Sequence, residues 1–239
     1  MATTTIDAVY QGAVRNEVSG AQINWTSQVR DAATGNYVNT YTVATSNFSA
    51  IISSLDTARA GYVGVCGRTF LFFNNFGAGV AGNITAATLK VYNPSTSRTT
   101  DTRAIESTAW GSDGSTSTLS TSDFSNIDHS TAYSSGLLSY SGGYNNYTLN
   151  ATAIADMNTN GYLNCVVIEA DHDYGNTNPT LDAAAKNVEV GFNYSGNEIQ
   201  LELTYSTGYG NKVIGVDKTN IGEVTGVATT DIKAVIGIT

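Results

Sequence analysis

Three carboxylates, Glu169, Asp171 and Asp173, alternate along Glu169-Ala-Asp-His-Asp-Tyr174, directly after the apolar run Asn164-Cys-Val-Val-Ile168. At the end of a strand, residues two apart project to the same side. Three acidic groups with nearby carbonyls would then suit a hard cation such as a structural Ca²⁺. The alternative is that they are solvated loop residues. No other cofactor is expected. The two histidines are His129, in Asn126-Ile-Asp-His129, and His172 within the acidic run. No serine-centred elbow, zinc-binding histidine pair or phosphate-cradling glycine loop accompanies them. The chain is therefore not expected to be an enzyme, although paired carboxylates that meet only in the fold are invisible at this level.

A second candidate chemistry is aromatic. Trp110 precedes the polar stretch Gly111-Ser-Asp-Gly-Ser-Thr-Ser-Thr118, and Tyr133, Tyr140, Tyr144 and Tyr147 punctuate a glycine- and serine-rich segment. Flat rings among polar neighbours could form a platform for a glycan. The competing expectation is that these rings pack over a sheet or at a subunit contact with their hydroxyls wet.

The elements that must carry these residues are mostly strands. Arg68-Thr-Phe-Leu-Phe-Phe73 is densely aromatic, and Ala86-Ala-Thr-Leu-Lys-Val-Tyr92 alternates. Glu198-Ile-Gln-Leu-Glu-Leu-Thr-Tyr205 places Ile199, Leu201, Leu203 and Tyr205 on one face, as in a half-buried antiparallel strand. Helix is rare. Ala151–Asn158 is the best candidate, with Asn150 to cap it and Gly161 to stop it. A shorter turn is expected from Thr121 or Ser122 to Asn126, and a third helical candidate spans Phe48 to Arg59, where Ile51, Ile52 and Leu55 fit helical spacing. Cys66 and Cys165 both sit in apolar, strand-like contexts. They read as buried thiols, with a disulfide between facing strands as the alternative.

Composition narrows the partners. Charged residues make up 13% of the chain, hydrophobic ones 41%, and the net charge is -9. That acidic balance opposes binding to a phosphate backbone, so no nucleic-acid partner is expected. No run approaches the roughly 18 apolar residues of a membrane span. The start, Met1-Ala-Thr-Thr-Thr-Ile-Asp7, carries no secretory pattern. Yet the polar, uncharged composition suits a protein working outside a cell.

The C-terminal segment repeats. Val213-Ile-Gly-Val216, Val224-Thr-Gly-Val227 and Val235-Ile-Gly-Ile238 recur every 11 residues, and Ile221 and Ile232 keep the same period. Each unit holds too few apolar side chains to close a core alone, so the segment needs a partner surface. Short strands adding to another chain's sheet edge, or winding with sister copies about a symmetry axis, would bury those eight positions. A hairpin folded onto its own domain is the alternative. The turn-rich Ser206-Thr-Gly-Tyr-Gly-Asn211 marks the boundary between a domain over residues 1–206 and a tail over 207–239.

The order of segments over residues 5–206 resembles the DNRLRE jelly-roll family, related to carbohydrate-binding modules. The resemblance is carried by Trp25-Thr-Ser-Gln-Val-Arg-Asp-Ala-Ala-Thr-Gly35, by Arg68–Phe73, by Gly82–Tyr92, by Tyr147–Ile154, by Gly161–Glu169 and by the closing Glu198–Tyr205. It implies an all-β jelly-roll sandwich with one or two short helices, to which the β-rich repeat tail is added. The closing strand carries acidic residues where the family has a basic one. The tail's Ile-x-x-Val-x-Gly-Val phrases are similar to C-terminal segments of phage structural proteins. That similarity implies a virion component, a capsid decoration or a head-associated or tail appendage. It would be made in the host cytoplasm, displayed on the virion surface, and docked through the tail to other virion proteins or to sister subunits as a homo-oligomer. Contact with a host-surface glycan would be a secondary role. The alternatives are an extracellular carbohydrate-binding module of an adhesin or enzyme, and a subunit of a self-assembling surface filament.

Overall fold

Alternation of inward apolar and outward polar side chains dictates most of the strands. The computed structural model describes residues 1–41, 46–58, 61–95, 99–192 and 196–207, together with 223–224 and 227–228. In chain order the strands are β1 (Ala2–Asp7), β2 (Tyr10–Gly20), β3 (Tyr37–Tyr41), β4 (Ser46–Ala58), β5 (Gly61–Phe73), β6 (Ile84–Asn93), β7 (Thr100–Ser107), β8 (Ile127–Ala132), β9 (Leu138–Tyr140) and β10 (Gly143–Thr148). After helix α1 (Ala151–Asn160) come β11 (Leu163–Glu169), β12 (Lys186–Phe192), β13 (Gln200–Tyr205), β14 (Glu223–Val224) and β15 (Val227–Ala228). The fold is an all-β sandwich of antiparallel sheets.

The smaller sheet has the order β1-β13-β6-β10. The larger contains β12-β4-β5-β11-β7-β8, with β2 on β5, β3 on β2 and β9 on β7. Leu71, Phe73 and Val167 of the larger sheet meet Leu89, Val91 and Leu201 of the smaller one, all fully buried, and this is the inter-sheet core.

A second core lies on the opposite face of the larger sheet. Because side chains alternate along a strand, β5 sends Leu71 and Phe73 inward but Cys66, Phe70 and Phe72 outward. Trp25, Val29, Trp110 and Phe124, all from connecting segments, cover that outer face. Gly64 permits the close approach: a Cβ there would sit 2.8 Å from Val29 Cγ2 and 3.1 Å from Trp25 Cδ1. The Trp25 indole also donates to Val65 O at 3.0 Å. The two cysteines fall in different cores, with the sheet between them, and both thiols are free.

The sheet forks in the middle of β5. Strand β2 takes one edge of β5 along Tyr62–Phe72, so the other edge is shared. There β4 pairs with Gly61–Gly67 and β11 with Thr69–Phe73, and Arg68 falls at the junction. Beyond the fork the first half of β4 pairs instead with β12.

Helix α1 forms where expected and runs two residues further. The Asn150 side chain accepts from Ala153 N at 3.0 Å, and Gly161 stops the helix in a left-handed conformation at φ 75°. The turn at Thr121–Ser125 is also present, held by Asp123 Oδ2 accepting from Ser120 N at 2.7 Å. The expected helix over Phe48–Arg59 is corrected to strand β4 (Ser46–Ala58). Periodicity alone does not separate a helix from a buried strand in so short an apolar run, and the ladders with β12 and β5 supply the backbone partners that decide it. Among the described residues no helix is long and apolar enough to cross a membrane.

Candidate functional site

The acidic run does not converge on one point. Past the end of β11 the chain enters a wide helical turn over Ala170–Tyr174, and strand alternation ceases. Glu169 is fully buried and turns back on that turn: Oε1 accepts from Asp171 N (2.8 Å), and Oε2 from His172 N (2.8 Å) and Asp173 N (3.3 Å). Burial pushes its carboxyl up, and the bonds from His172 and Asp171 act against this. Asp171 faces solvent and pairs with Lys186 at 3.2 Å. Asp173 is buried and pairs with Arg68. The expectation of three carboxylates sharing one cation is corrected on this geometry, because each has its own protein partner.

The charge that answers Asp173 is a guanidinium at the sheet fork. Arg68 Nε donates to Asp173 Oδ2 at 2.8 Å and Nη2 to Oδ1 at 2.7 Å, a bidentate pair. Arg68 Nη1 also reaches Phe124 O (2.6 Å) and Nη2 reaches Arg30 O (2.9 Å). One side chain therefore ties β5 to three connecting segments. Arg30 donates to Asp173 O at 2.5 Å and pairs with Asp31, and His129 Nε2 lies 3.1 Å from Asp173 Oδ1. Burial alone would raise the Asp173 carboxyl, but the charge and hydrogen bonds of Arg68, with His129, hold it well below the usual carboxylate range. Cys66 Sγ approaches Asp173 Oδ2 at 3.5 Å, yet burial and that carboxylate push the thiol well up, so it is no nucleophile. These contacts hold the three connecting segments against β5. The signal of this cluster in the sequence was a charged residue opening the apolar run Arg68–Phe73.

The aromatic residues are also mostly interior. Trp110 and Tyr140 are 0% exposed, Tyr147 2% and Tyr133 4%, and only Tyr144, at 41%, is open. Tyr147 Oη lies 2.7 Å from Thr102 Oγ1 inside the inter-sheet core, and Trp110 stacks on Tyr10 with ring centroids 5.4 Å apart. The glycan platform over Trp110, Tyr133, Tyr140, Tyr144 and Tyr147 is corrected accordingly: alternation on the short strands β9 and β10 turns Tyr140 and Tyr147 inward, leaving one ring at the surface.

What sequence reasoning missed is a cleft of about 240 Å³ between α1, the start of β11 and the segment after β7. Two carboxylates line it, Glu106 at the end of β7 and Asp156 on α1, together with Tyr133, Tyr162, Asn164 and small hydroxyl residues. The residues are brought together by the register Cys165↔Glu106 and by the packing of α1 on β11. Tyr133 donates to Asp156 Oδ2 at 2.8 Å, which orients that carboxylate. Burial raises the Glu106 carboxyl, and Asp156 and Asp128 add to the effect. Glu106 and Asp156 are 50 positions apart in the chain, and no local pattern links them.

No protein-family model and no curated protein matches this chain. The outer positions of the repeat, Val213, Val216, Ile221, Ile232, Val235 and Ile238, lie outside the described residues. Val224 and Val227 face each other across the short β14–β15 ladder.

Proposed function

We propose that this chain is a structural component of a bacteriophage particle, with the sandwich displayed outside and the C-terminal repeats docking it to the particle or to sister subunits. The observation that carries this reading is where the domain finishes. Strand β1 pairs with β13 along its whole length, from Ala2↔Tyr205 to Asp7↔Gln200, and Ser206 N donates to Asn83 O at 2.9 Å. The domain's first and last strands are thus zipped together at the point where the repeat segment begins. Two strands of two residues, as in β14–β15, are marginal without a further surface. Repeated β-branched residues left unpartnered would invite aggregation, which favours a partner for the tail.

Removal of residues 207–239 tests the reading. The truncated chain should remain folded and monomeric, with a thermal midpoint within a few degrees of the full chain, and should no longer associate with particles or with itself. An unchanged assembly state after truncation would sink the proposal. Self-assembly of the full chain into long polymers without any particle would favour the filament instead.

A further inference from the structure

We propose that a cleft on the outer face of the larger sheet, beside Tyr62 of β5, binds a neutral glycan. The inference is independent of the attachment reading. Tyr62 and Leu55 belong to that face, because Tyr62 lies two residues before the outward-facing Gly64 and Leu55 pairs directly with Gly64. Together with Ile23 and Leu181 they line a cleft of about 400 Å³. Ile23 and Leu55 are half-buried against the outer core, and Leu181 is 41% exposed. The cleft thus offers aliphatic carbon and a phenol ring to solvent, and it shares no residue with the aromatic set from Trp110 to Tyr147.

Two connecting segments frame the cleft, and both are fastened. Asn178 Oδ1 accepts from Thr26 N and from Thr26 Oγ1, each at 2.9 Å, which joins the segment after β11 to the segment after β2. Four residues on, Asp182 N donates to Leu55 O at 2.9 Å, and the Asp182 carboxylate accepts from Thr57 N and Thr57 Oγ1, each at 2.5 Å. Binding to a cleft already held in shape costs little ordering entropy. Its polar groups are of one kind. Gln22, Asn24 and Asn178 supply amides, and no charged side chain lines it, whereas the cleft between α1 and β11 is acidic. Asn24 Oδ1 accepts from Ser27 N at 3.2 Å and Asn178 Oδ1 is held by Thr26, so among the described residues both amides keep their Nδ2 donors available. Sugar hydroxyls donate and accept as amides do, while the C–H faces of a sugar ring match Leu55, Leu181 and Tyr62. The uncharged lining selects a neutral sugar over an acidic one, since a carboxylate or sulfate would be desolvated there without a counter-charge.

The test is retention of the full chain on an array of neutral, sialylated and sulfated glycans, followed by calorimetric titration with the neutral glycan that retains most protein. Neutral glycans should be retained over acidic ones, with a Kd of the order of 1 mM for a short oligosaccharide. Asn24→Asp and Asn178→Asp each keep the Oδ1 that accepts from the chain and remove only the Nδ2 donor. Each should weaken binding by about tenfold and leave the melting temperature unchanged. Gln22→Ala, at an exposed position, should weaken it by about fivefold, and Tyr144→Phe, on the other sheet, should leave it as in the parent. Retention of no neutral glycan, preference for the acidic ones, or equal affinity in N24D, N178D and the parent would overturn the site.

Discussion

At the scale of single residues, the strongest commitment in the molecule is Arg68 with Asp173. Two buried charges pair well only when the remaining donors are also satisfied, and Arg68 meets that condition with Phe124 O and Arg30 O. Asp173→Asn should destabilise the domain by about 3–5 kcal/mol, the usual cost of stranding one buried charge, measured by urea unfolding at neutral pH. The pH dependence follows from the depressed Asp173 carboxyl. A carboxyl held below its unfolded value of about 3.9 stabilises the fold fully above that pH and loses the contribution as pH falls through the folded value. The parent's melting temperature should therefore drop on acidification below about pH 4, and the asparagine variant should lack that component. The acidic run was visible in the sequence, but its partner was not. Arg30 and Arg68 lie 143 and 105 positions from Asp173.

At the scale of elements, local chemistry made β6, β13 and α1 legible. Alternation defined the strands, and Asn150 and Gly161 bracketed the helix. The run Arg68–Phe73 read as a densely aromatic strand, yet neither its burial on both faces nor what covers the outer one was legible, because Trp25, Trp110 and Phe124 come from segments without periodicity. The Phe48–Arg59 region misled because Ile51, Ile52 and Leu55 fit helical spacing, and a short apolar run of this kind is not told from a buried strand by periodicity alone. Neighbouring residues of β11 allow a test of the double burial. Val166 belongs to the outer core and Val167 to the inter-sheet core, and both are fully buried. Val166→Ala and Val167→Ala should each cost about 2 kcal/mol. The double variant should show their sum, since the two side chains share no core. A strong coupling energy in denaturant melts would mean that the two cores act as one.

At the scale of the whole molecule, closure of β1 on β13 has a consequence for where the chain can carry cargo. Ala2 lies opposite Tyr205, so the N-terminus and the root of the tail leave the domain at the same end. The far end of that small sheet is marked by Asn93↔Gly143, since β6 runs there from Ile84, the residue beside Tyr205. If the repeats dock the chain to a particle as proposed, a fluorescent protein fused to Met1 would crowd the receiving surface and should reduce the number of copies recovered per particle. The same cargo inserted between Ser141 and Gly142 should leave occupancy intact, counted by single-particle fluorescence. For anyone building a display scaffold, the natural place for foreign cargo is thus an internal turn, and the chain's own beginning is the wrong port.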